Sequence, residues 1–66
     1  MTLTQALTAL AGNTNLNVNL IDSDDSAMIV FNAAGYENIE SDLFSRTVKA
    51  ITINSSNLVT IKLNAA

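Results

Sequence analysis

The chain has 66 residues, 48% of them hydrophobic, with six acids against three bases and neither cysteine nor histidine. Disulfides, Cys or His metal sites, thiol nucleophiles and imidazole bases are therefore excluded, and a formal charge of -3 opposes the basic footprint that phosphate binding requires. A chain this short holds one domain with a small core, so self-association into a homo-oligomer is the expected supplementary source of stability.

Thr2-Leu3-Thr4-Gln5 has the spacing of a capping box, with the Thr2 hydroxyl placed for the Gln5 amide and the Gln5 side chain placed to reach back. Leu3, Ala6, Leu7, Leu10 and Ala11 then form the apolar stripe of a helix lying on a core, and Gly12 is the expected left-handed stop. A helix under three turns is marginal alone, so it must pack on something. The apolar stretch Leu3 to Ala11 lacks the basic leader and longer core of a signal peptide. No run approaches the roughly 18 apolar residues of a bilayer span. The expectation is a soluble, unprocessed chain with no membrane and no nucleic-acid partner.

Residues 15–20, NLNVNL, alternate polar and apolar, which predicts a strand with Leu16, Val18 and Leu20 pointing inward. Asp22-Ser23-Asp24-Asp25-Ser26 reads as a turn, because Asp and Ser bond nearby amides and tolerate turn geometry. A second strand, 27–32, follows. Its run Ala27-Met28-Ile29-Val30-Phe31 is apolar on both faces, the pattern of a central strand covered on both sides. With one substantial helix available, the cover must come from the connection at 35–45 or from another copy.

Gly35 is expected to break the chain at positive φ. Beyond it Tyr36, Ile39, Leu43 and Phe44 sit near helical spacing, predicting a short helical turn capped by Ser41 or Asp42. The last third reads as a hairpin, strands 47–54 and 58–64 around Ser55-Ser56-Asn57. A three-residue loop with Asn57 at positive φ sets Ile53 opposite Val59 and Ile51 opposite Ile61. Lys62 then faces Ala50, Lys49 faces Leu63, and Val48 and Leu58 point to the outer side.

The predicted fold class is α+β: a four-stranded, mainly antiparallel sheet with the N-terminal helix packed on one face, in the order α-β-β-(short helical turn)-β-β, residues 1–66 forming one domain. Leu7, Leu10, Val18, Leu20, Ile51, Ile53 and Ile61 are the expected core. Met28, Val30, Val48 and Leu58 are the candidate interface.

Groups capable of chemistry read as structural. Asp22, Asp24 and Asp25 resemble the start of a calcium loop, but its glycine at the sixth position is missing and Ala33 stands where a bidentate Glu belongs. Glu37, Glu40 and Asp42 lack a second catalytic group, Asp42 being a candidate cap or partner for Arg46. No serine lies in a GxSxG context. Arg46, Lys49 and Lys62 are too few for a nucleic-acid groove, and lysines on a sheet edge discourage aggregation. No cofactor, metal or catalytic residue is expected.

The segment Phe31 to Ile53, FNAAGYENIESDLFSRTVKAITI, with its NAAGY and SDLFSRTVK portions behind an amphipathic N-terminal helix, resembles small uncharacterised proteins encoded in phages and prophages of gut anaerobic bacteria. The resemblance implies a viral accessory or minor structural role acting through protein contacts, in the cytoplasm of a bacterial host or on a virion. It brings no functional residues. The readings to separate are a self-associating interaction module, an inhibitor of a host defence protein, and, more distantly, a small enzyme.

Overall fold

The computed structural model describes every residue except Ala11, Asn13, Thr14, Ile39 and Ala66, and describes no side chain for Tyr36, Glu37 and Asn38. The elements are helix α1 (Leu3–Leu10), strands β1 (Asn17–Ile21) and β2 (Ala27–Asn32), two short 3-10 helices (Ala33–Asn38 and Ser41–Ser45), and strands β3 (Val48–Ser55) and β4 (Leu58–Leu63). The predicted fold class and element order are observed, with the helical turn split in two.

α1 starts at the capping box: the Gln5 amide donates to the Thr2 hydroxyl (3.3 Å) and the Thr2 amide donates to Gln5 Oε1 (2.9 Å). Leu3, Ala6 and Leu7 are buried beneath it, and Leu10 packs at the margin. Ala11, the predicted end of the stripe, lies outside the described residues. Neither Gly12 nor Gly35 has positive φ, so both glycine expectations are corrected: Gly35 sits at φ -119°, a conformation open to any residue.

The strand order is β2-β1-β4-β3, with β1 and β4 parallel at the centre and antiparallel hairpins outside them. This overturns the expectation that β2 is central; it is an edge. Strands about 4.8 Å apart make four of them roughly 19 Å wide, whereas one helix is about 10 Å across. A single helix therefore roofs the middle pair. The buried residues follow: Leu16, Val18 and Leu20 from β1 and its approach, Val59, Ile61 and Leu63 from β4, and Ala33 beyond β2.

The hairpin register matches expectation at Ile53↔Val59, Ile51↔Ile61 and Ala50↔Lys62, but the chain reaches it by another route. Ser55 pairs with Leu58, leaving Ser56 and Asn57 as a two-residue turn, and Asn54 is the extra residue of a bulge. Asn57 does not have positive φ; among the described residues Asp25 is the non-glycine residue that does, at 68°. A two-residue turn without positive φ matches the strand twist poorly, and the adjacent bulge adds the missing twist. A second bulge, at Lys49, sets Val48 rather than Lys49 opposite Leu63. Val48 therefore lies on the helix side and packs against the core, which corrects its placement on the outer side.

Ile51 and Ile53 also correct the expected core. They point to the predicted side but lie on the edge strand beyond the helix, 46% and 81% exposed. Leu43 and Phe44 pack against the core cluster, so this part of the β2–β3 connection lies along the helix, and among the described residues it does not cover the outer side of the sheet. Ile39 and the Tyr36 side chain, also expected to help cover it, lie outside the described residues.

Candidate interaction surface

The carboxylates of the turn at residues 22–25 are engaged in ion pairs and turn hydrogen bonds. Asp22 follows β1, where its Oδ1 accepts from Arg46 Nη2 at 2.7 Å, and the same nitrogen donates to the Asn64 carbonyl at 2.6 Å. One guanidinium thus ties the ends of β1 and β4 to the start of β3. The partner of Arg46 is Asp22 and not Asp42, which corrects the sequence reading. The Arg46 hydrogen bond, helped by the Ser23 amide, holds Asp22 below the ordinary carboxylate range. Asp24 is lowered by the Ser26 hydroxyl (2.6 Å) and the Ser26 amide (3.1 Å), and Asp25 pairs with Lys62 at 2.7 Å. The Asp22 and Asp24 carboxylates bond within the calcium-like turn, while Asp25 pairs with Lys62 on β4. No group of three or more His, Cys, Asp or Glu among the described residues could hold a metal ion.

Glu40 stands at the cap position of the second 3-10 helix without a side-chain cap bond, so neither Ser41 nor Asp42 caps it as expected. The Glu37 side chain lies outside the described residues. Asp42, Ser45, Arg46, Thr47 and Ala65 line an open depression of about 440 Å³. No described helix is long and apolar enough to cross a membrane.

Opposed residues in a sheet share a face, so the ladders assign each side chain. On the outer side Asn19 is flanked by Val30 and Thr60, with Thr52 beyond; Asn17 is flanked by Asn32 and Leu58. The Thr60 hydroxyl donates to Asn54 Oδ1 at 2.6 Å. This side is mixed, its Asn and Thr residues interspersed with Ile21, Ala27, Val30, Ala50, Leu58 and Lys62. Of the candidate interface residues, Leu58 is half-buried there, Val30 is 64% exposed there, and Met28 is an exposed extra residue in a bulge opposite the Leu20–Ile21 step.

Apolar exposure is instead concentrated on the two edges: Met28, Ile29 and Val30 on β2, Ile51 and Ile53 on β3. The sequence reading missed Ile29, Ile51 and Ile53 because side-chain period gives a residue's face and not its distance from the helix. The β3 edge is partly closed. The Leu3 amide donates to the Arg46 carbonyl and the Val48 amide to the Met1 carbonyl, both at 2.8 Å, with a bridge between Thr2 and Thr47. Among the described residues, no such segment covers the free edge of β2. Comparison with family models, with curated proteins and with solved structures finds no match.

Proposed function

We propose that this chain is a small non-enzymatic interaction module, working through protein–protein contact and self-association as an accessory or minor structural protein of phage type. The observation that carries this reading is the apolar character of the edges. β2 is uncharged and apolar from Ala27 to Phe31, and its middle is open to solvent. Contiguous exposed apolar surface on a small domain marks a contact site, and an open sheet edge supplies unpaired backbone groups for a partner. The engagement of Asp22, Asp24 and Asp25 in turn and ion-pair contacts supports a structural rather than catalytic use of the acids.

Sedimentation velocity over a hundredfold concentration range tests the reading. Mass rising with concentration is the expected result. A single species of about 7.0 kDa throughout, matching one chain, overturns the self-association.

A further inference from the structure

Resting on the self-association just proposed, we infer that two copies join edge to edge through β2, antiparallel and centred on Val30, into one continuous sheet. β2 is an edge strand paired on one side only, with β1, and its free edge carries an uncharged, apolar, partly exposed run. A second β2 is the strand proposed to fill that edge.

The two edges differ in how they are guarded. β3 carries what natural edges use against pairing: a lysine, two bulges and a covering segment, here Met1–Leu3. β2 has one bulge, at Met28, and no charge between Ala27 and Asn32. Self-pairing there brings no like charges together.

Register follows from the faces. Ile29 and Phe31 stand opposite Leu20 and Val18, on the helix side, and Val30 stands opposite Asn19, on the other side. A two-fold axis normal to the sheet through Val30 sets Ile29 against Phe31 of the second copy, and Val30 against its own counterpart. The helices of both copies then lie on one side, and the two cores meet through Ile29 and Phe31. Shifting the register by one residue would oppose helix-side and outer-side residues. Shifting it by two would centre the pair on Ile29, setting the bulged Met28 against Val30, or on Phe31, setting Ile29 against Ala33 beyond the strand. A six-residue strand is about 20 Å long, so the contact falls below the roughly 1,200 Å² of standard interfaces. The dimer is accordingly weak, with dissociation at about micromolar concentration or above.

The test is sedimentation velocity of the parent, Val30→Glu and Ile53→Glu from about 5 to about 500 µM, the range in which a small interface dissociates. Both residues are largely exposed, so both variants should keep the parent's circular dichroism. The inference expects Val30→Glu to weaken dimerisation at least about tenfold, since two carboxylates would stand opposed, and Ile53→Glu to dimerise like the parent. Hydrogen exchange supplies a second readout: alternate β2 amides should slow as concentration rises, while free β3 amides should not. Dimers lost in Ile53→Glu but kept in Val30→Glu, with protection appearing on β3, overturn the inference and leave self-association standing. A parent that stays monomeric overturns both. A ladder of growing species sensitive to both variants indicates β2 joining β3 of the next copy, and overturns the closed pair.

Discussion

Ile51 and Ile61 stand directly opposite each other across the β3–β4 ladder, on the same side of the sheet, yet Ile61 is fully buried and Ile51 is 46% exposed. One strand spacing, about 4.8 Å, separates a place under the helix from its margin. Burial here is decided by strand order as much as by side-chain direction.

Ile61→Ala is therefore expected to cost about 2 to 5 kcal/mol, because it removes apolar contact and leaves a cavity beneath α1. Ile53→Ala, on the same face but mostly in solvent, should stay within about 0.5 kcal/mol of the parent. Ile51→Ala should fall between them. Urea melts of the three variants check the gradient; equal losses at Ile61 and Ile53 would show that the helix roofs the β3 edge as well.

The alternation of NLNVNL and of LVTIKL carried enough information to place β1 and β4 with one wet face, and the capping box located the start of α1. Those signals are local. What could not be read was which strands sit side by side. β2 looked central because it is apolar on both faces, but in a two-layer fold the central strands are the alternating ones, roofed on one side and wet on the other. The hairpin shows a further limit. Several combinations of turn and bulge satisfy the pairing of Ile53 with Val59, and the chain uses a bulge at Asn54 where a longer loop was expected. Of the candidate interface residues, Met28 and Val30 are exposed on β2, while the placement of Val48 failed because a bulge at Lys49 reversed its side.

Asp25 is the position where backbone conformation should restrict the sequence. At φ 68° a side chain branched at Cβ is disfavoured, so Asp25→Val should cost about 1 to 2 kcal/mol. Asp25→Asn keeps a residue that tolerates this region and should be nearly neutral, since the pair with Lys62 is a surface contact. Asn57→Val, at a turn position with ordinary φ, should be milder than Asp25→Val. Thermal melts that rank Asn57→Val as the worse of the two would place the strain in the other turn.

Stability should fall in acid. Asp22 and Asp24 both titrate below the ordinary value of 3.8 in the folded chain. A carboxylate with a depressed folded pKa contributes stability that is fully present above its unfolded pKa and is lost as pH falls through the folded one. The contribution is thus constant near neutrality and declines below about pH 4. In Asp22→Asn the acid limb should be shallower and the neutral-pH stability lower, because Arg46 loses its charged partner at the junction of three strands. Melting temperatures between neutral pH and pH 2.5 would show this; parallel profiles for parent and variant would mean that the Arg46 bond does not hold in solution.

Thr2 serves two structures at once, closing the first turn of α1 and bridging to Thr47 on the β3 edge. Removing its hydroxyl affects the first directly: Thr2→Ala should cost about 0.5 to 2 kcal/mol, the usual loss for an N-cap, while Thr2→Ser should recover most of it. The second role is reported by one amide. Val48 N–H donates across the edge to the Met1 carbonyl, so its exchange should be slow in the parent although it lies on the outside of an edge strand. Loss of the cap frays the first turn and with it the Met1–Leu3 segment, so Val48 exchange should quicken in Thr2→Ala by more than that of the buried Ile61 amide. Equal acceleration at both positions would mean that the cap acts only on global stability and that the segment stays paired to β3 without it.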